Sequence, residues 1–258
     1  MSGRVWSFAQ QNVFHSRLDL SHAPVRPSRS IRPTLSLSWL EHACEPWLHV
    51  RRCRHEFSDQ IGLTNVSNHD GKNLTISALV EAIHSVYHLT KPLAFLMTIT
   101  GVLFCGNGRT VDLHQLAKHN AIEHDASLSR PDTQPPSKFA PIDADPEIVD
   151  QLMRISPENF LVLKDIATHR VNRESQAVGG PLDFIHAEIA RAEFSLLLQV
   201  FGNDNMEVDK DLLRNWFVEG RLPDSWKAPE KTIGILTSVA LTRRIAAAVK
   251  AIRNSKEE

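Results

Sequence analysis

The sequence predicts a mainly α-helical fold: a single helical domain over residues 61–258, preceded by an atypical arm over residues 1–60. Apolar residues recur at helical spacing from Ile76 onward, and helix-start signals of cap, proline and acid recur along the same stretch. No window alternates in the manner of strands between hairpin turns, and no internal repeat is present.

The arm is Arg-rich, has Ser-rich stretches and is punctuated by Pro24, Pro27, Pro33 and Pro46. Without a sustained period it is expected to be weakly ordered, apart from a short helix near Leu35 to Leu40. From Ile76, the residues Leu79, Ile83, Val86 and Tyr87 fall on one helical face. Pro92 opens a second helix, whose apolar run from Leu93 to Cys105 is expected to be buried, and Gly106-Asn107-Gly108 closes it. Asp112, with Gln115 three residues on, caps a short helix that turns Leu113, Leu116 and Ala117 inward.

Prolines at 131, 135 and 136 force residues 130–141 into a loop. Asp145-Pro146-Glu147 starts the next helix, and Ser156-Pro157-Glu158 is expected to start another reaching about Val171. Asp183 caps a long helix whose Phe184, Ala187, Ala190, Phe194, Leu197, Leu198 and Phe201 point one way before Gly202 ends it. A further helix covers Asp209 to Gly220. Leu222-Pro223 and Trp226 make an irregular link, and a basic-ended helix runs from Thr237 to Arg253.

Composition narrows the function. A chain of 258 residues with 42% apolar side chains buries one substantial core. A formal charge of −1 gives no global attraction to nucleic acid or anionic lipid, so neither is expected as a partner. The run from Leu93 to Cys105 falls short of the roughly 18–20 apolar residues that span a bilayer. Met1 to Ala23 lacks the basic-then-apolar order of a secretory signal, so none is expected. Asn65-Val66-Ser67 and Asn73-Leu74-Thr75 match the glycosylation acceptor pattern. Three cysteines, Cys44, Cys53 and Cys105, cannot build a disulfide framework, which points to a lone functional thiol.

Chemistry concentrates between His119 and Arg130. On a continuous helix His119 and Glu123 would share a face, and with His124 and Asp125 they would form a divalent-cation site of the kind a metal-dependent hydrolase uses. The alternative from the residues alone is a solvated, capped helix end.

An ordered string of residues adds to this reading. Asp70-Gly71-Lys72-Asn73-Leu74-Thr75 is followed by Val80 and Tyr87, then by Asp112, Leu116 and Ala117, and then by His119 to Arg130 with its Glu-His-Asp-Ala-Ser core. The string resembles the fungal haem-thiolate peroxidases, the chloroperoxidase and unspecific peroxygenase family, over about residues 61–250. The resemblance implies haem b and hydrogen peroxide, with halide ions or small apolar organic molecules as substrates.

By the same resemblance, Glu123, Ser127 and the carbonyl of His124 hold magnesium beside a haem propionate, and the hard-oxygen preference of that ion suits the set. His124 is implied to orient a distal carboxylate that relays a peroxide proton, and the matching residue is Glu193, with Glu188 as runner-up. Phe194 is expected to lead the apolar wall around the haem. The family's Pro-Cys-Pro ligand turn has no counterpart here, and an alignment on the flanking residues puts Gln60 or His55 where the cysteine would stand. Cys53, among Arg51, Arg52 and Arg54, is the thiol expected to ligate iron, since neighbouring cations favour thiolate; Cys44 ranks behind it. Cys105 is expected to be core. A haem-free relative acting as a binding or scaffold protein is the remaining alternative.

Overall fold

The computed structural model describes residues 71–223 and 225–257, so the arm and the expectations placed on Cys44, Cys53, His55, Gln60 and Asp70 lie outside the described residues. The described part is mainly helical. Helix α1 (Ile76–Tyr87) begins where the Thr75 hydroxyl accepts the Ala78 amide, and it stops at His88 in the left-handed region. Helix α2 (Lys91–Phe104) begins with proline in its first turn. A 3-10 turn (Leu113–Ala117) follows, in which the Gln115 side chain accepts the Asp112 amide at 2.8 Å, the expected capping pair.

Helices α3 (Pro146–Arg154), α4 (Leu163–Gln176) and α5 (Phe184–Phe201) come next, then α6 (Lys210–Arg214) running into a π-helical turn (Asn215–Glu219), and finally α7 (Ile235–Glu257). Two short antiparallel pairs clip the helices together. Strand β1 (Leu74–Thr75) pairs with β2 (Thr110–Val111), and β3 (Phe160–Leu161) pairs with β4 (Val208–Asp209).

The main core brings Val149 and Leu152 of α3, Ile166 of α4, Leu197 and Phe201 of α5, Trp216, and Leu241 and Ile245 of α7 together. A smaller core joins Leu79, Val102, Cys105, Val111, Leu113 and Leu116. Among the described residues no helix is long and apolar enough to cross a membrane.

Several expectations need correction. The Ser156-Pro157-Glu158 signal does not start a helix. Ser156 accepts the Glu158 amide, but Phe160 and Leu161 then pair with β4, so α4 starts at Leu163. Helix α2 is only half buried, with Phe95, Leu96, Leu103 and Phe104 exposed. Phe184 does not join the inner face of α5 either, being 79% exposed in its first turn. The Ala-rich helix begins at Ile235 and continues beyond Arg253.

Candidate active site

The segment that carries the candidate chemistry is a loop and not a helix. The 3-10 turn ends at Ala117, Lys118 is extended, and Lys118 bridges to Phe139. The backbone then folds back on itself, with the Asn120 amide donating to the Glu123 carbonyl at 2.9 Å while Asn120 and Ala126 both take positive φ. Left-handed residues interrupt a helix because their carbonyls leave the axial direction. His119 and Glu123 therefore meet as backbone partners in a bridge, and the shared helical face expected of them does not form.

Their side chains go to separate partners. Glu123, 3% exposed, pairs with the buried guanidinium of Arg130. Burial pushes the Glu123 carboxyl above the usual range, and the charges of Arg130 and His124 oppose that shift. His119 Nε2 lies 3.1 Å from Asp125 Oδ1, and the same oxygen accepts the Thr133 amide at 2.9 Å. The Ser127 hydroxyl accepts the amides of Ser129 and Arg130, each at 3.3 Å.

His124 turns the other way. Its Nδ1 lies 2.7 Å from the Asp125 carbonyl, and its Nε2 lies 3.2 Å from Glu193 Oε2 on α5. A carbonyl only accepts, so Nδ1 carries the proton of the neutral ring and Nε2 holds a lone pair. The contact with Glu193 then closes only with one further proton, on the ring or on the carboxyl. The pair is thus a one-proton store, with side chains 2% and 13% exposed. Beside it the His186 ring stands edge-on to His124 at a centroid distance of 6.4 Å, held by Asp183 at 2.5 Å.

Glu193 also borders an open-mouthed cavity of about 400 Å³ lined mainly by α2, α5 and α7. Leu93, Met97, Ile189, Ala192, Leu196 and Ile235 give it an apolar wall. Glu188 lines it too, but its side chain is 45% exposed and paired with Arg191, so it lacks the buried imidazole contact that Glu193 has. Phe194 is not part of this wall. It is one position further round α5 and 1% exposed in the main core, so the lining expected of it comes from Ile189, Ala192 and Leu196.

Cys105 sits in the smaller core, where burial pushes its thiol up to about 11, consistent with its expected packing role. Sequence reading missed Arg130 and the α4 residues His169, Arg170 and Arg173, all buried around this loop. The signal available was their spacing on one side of α4, interleaved with the buried Ile166, Ala167 and Val171.

The family described as "Peroxidase, family 2" matches residues 67–231, more than half of the chain. No curated protein matches at a significant level. On the family match, the chain belongs to peroxidase family 2, the chloroperoxidase-like family.

Proposed function

We propose that the chain is a haem-dependent peroxidase or peroxygenase that uses hydrogen peroxide to oxidise small apolar organic molecules or halide ions, with Glu193 and His124 as its acid–base pair. The family match supports peroxidase chemistry in general. The observation that carries the finer reading is the 3.2 Å contact between His124 Nε2 and Glu193 Oε2 at the edge of an apolar cavity.

The residues present fit haem. A flat, largely apolar macrocycle suits the aliphatic wall of Leu93, Met97 and Leu196, and the Glu193 carboxylate on the same cavity would supply a proton acceptor. Thr98, buried on the same wall, has a hydroxyl without a partner and offers a further polar contact. When bound, haem supplies the iron at which peroxide is activated and the oxidising equivalents are held. The proposed ligand Cys53 lies outside the described residues.

The chain's own part is proton management. Glu193 accepts a proton from one peroxide oxygen and returns it to the other, which favours heterolytic cleavage. His124, its Nδ1 proton committed to the Asp125 carbonyl, keeps Nε2 directed at Glu193 and, when it carries the pair's further proton, donates to the Glu193 carboxylate that awaits the peroxide proton.

Magnesium fits less well. Arg130 already neutralises Glu123, and the Ser127 hydroxyl already accepts two amides, so an ion would have to displace these protein groups. Among the described residues no group of three His, Cys, Asp or Glu side chains is placed to hold a metal. The same separation of His119, Glu123 and His124 removes the arrangement that a metal-dependent hydrolase would need.

Peroxide-dependent oxidation of an apolar reporter by the haem-loaded full chain tests the proposal. Glu193→Gln is expected to keep haem and slow peroxide activation by roughly two orders of magnitude or more, whereas Glu188→Gln leaves it near wild type. Equal rates for wild type and Glu193→Gln would remove Glu193 from the reaction.

A further inference from the structure

The Asp125–Ala126 peptide unit is held at both ends. Its carbonyl accepts from His124 Nδ1 at 2.7 Å, and its N–H donates to Asp132 Oδ1 at 2.9 Å. Asp132 is itself fixed from two directions: Arg173 of α4 donates to Oδ1 at 2.9 Å, and the Val178 amide donates to Oδ2 at 2.9 Å. Asp132 and Arg173 are 7% and 6% exposed, so their geometry is set by the interior and not by solvent.

The same helix holds the rest of the loop by its carbonyls. Arg170 donates to the Ala126 carbonyl at 2.8 Å, Arg173 to those of Ser127 at 2.9 Å and Arg130 at 3.1 Å, and His169 to that of Leu128 at 2.9 Å. Ala126 has φ +60°, a conformation that alanine keeps only when its surroundings enforce it. Here its N–H goes to Asp132 and its C=O to Arg170, so both sides of the strained residue are tied.

We propose that the Arg173–Asp132 pair is a positioning device for the acid–base couple. It fixes the plane of the Asp125–Ala126 peptide, and that plane selects the His124 tautomer and the ring angle that present Nε2 to Glu193. Neither residue lines the cavity, so their influence on the acid–base couple passes through the loop that carries His124. The catalytic consequence rests on the function proposed above; the tautomer selection does not.

The experiment uses the full chain labelled with ¹⁵N-histidine, with the His124 ring signals assigned by their loss in His124→Gln. Wild type is expected to show a single, slowly exchanging Nδ1–H species. Asp132→Asn keeps an oxygen acceptor for the Ala126 amide and is expected to retain that species. Asp132→Ala removes the acceptor and is expected to give a mixed-tautomer, fast-exchanging ring, with kcat for peroxide turnover at least tenfold lower and KM for the organic substrate unchanged.

Should Asp132→Ala fail to fold, the double variant Asp132→Ala/Arg173→Met removes the abandoned charge as well and carries the same expectation. An unchanged Nδ1–H signal in either folded variant would overturn the positioning role. A ring that responds in a chain without peroxide turnover would leave positioning standing and defeat the peroxidase reading.

Discussion

His124 Nε2 lies 3.2 Å from Glu193 Oε2, joining a loop residue to a helix residue 69 positions later. The contact is internal to the protein, and the His124 side chain is 2% exposed. A buried imidazole with Nδ1 already committed cannot turn to solvent without losing both contacts. The pair is therefore pre-organised.

Replacing the imidazole separates orientation from proton transfer. His124→Gln retains a polar group near Glu193 but neither stores nor shares a proton. It is expected to lower peroxide turnover by roughly ten- to a hundredfold, less than Glu193→Gln, since the carboxylate that moves the proton remains. Stopped-flow peroxide consumption checks the order; a larger loss in His124→Gln than in Glu193→Gln would reverse the roles.

The buried pair of Glu123 and Arg130 makes a stability prediction. Glu123→Gln leaves the guanidinium without its counter-charge and is expected to cost about 3–5 kcal/mol in chemical denaturation. Glu123→Gln/Arg130→Met removes both charges and is expected to recover much of that loss. If the double variant is as unstable as the sum of the two singles, Arg130 serves the loop through its other contacts instead.

His169 confers a pH dependence. Burial, aided by the charges of Arg173 and Arg170, lowers its pKa from 6.5 to about 4, against the opposing pull of its hydrogen bond to Leu128. The unfolded chain takes up a proton between about pH 6.5 and 4 that the folded chain refuses, so stability falls as pH drops through that window and levels off below it. The full shift corresponds to about 3 kcal/mol. Glu123, whose carboxyl is raised in the fold, works in the opposite sense, so the comparison must be wild type against His169→Gln. His169→Gln is expected to flatten the decline between pH 6.5 and 4; parallel curves would mean that His169 does not cause it.

Much of the frame was legible because local signals and packing agree. Asp183 starts α5 and Gly202 ends it where the sequence places them, and that helix carries Glu193. Glu123, His124 and Ser127 sit on one short loop, as the sequence order requires, but their side chains take separate partners. The shape of that loop was not legible. Spacing suggests a helix through His119 and Glu123, whereas the left-handed Asn120 and Ala126 are held by partners distant in sequence, such as Asp132 and Arg170. Phe194 packs into the main core, which spacing alone does not show, since a helical period gives a face but not which neighbour covers it. The β3–β4 pairing that delays α4 is likewise a long-range contact that no local signal announces.

Gly202 illustrates close approach. A Cβ there would lie 2.3 Å from the Leu198 carbonyl and 3.2 Å from Met206 Cα, both backbone atoms that cannot swing aside. Gly202→Ala is expected to lower stability by about 1–3 kcal/mol, read as a reduced denaturation midpoint. An unchanged midpoint would show that the chain after α5 relaxes freely.

The central claim, that the His124–Glu193 pair faces a bound haem, is tested most directly by one spectrum. The full chain is expressed with haem precursor, purified, reduced and exposed to carbon monoxide. The expected result is a haem absorbance band red-shifted as thiolate ligation requires and lost in Cys53→Ala. Properly folded protein that stays colourless after generous haem supply would contradict the claim.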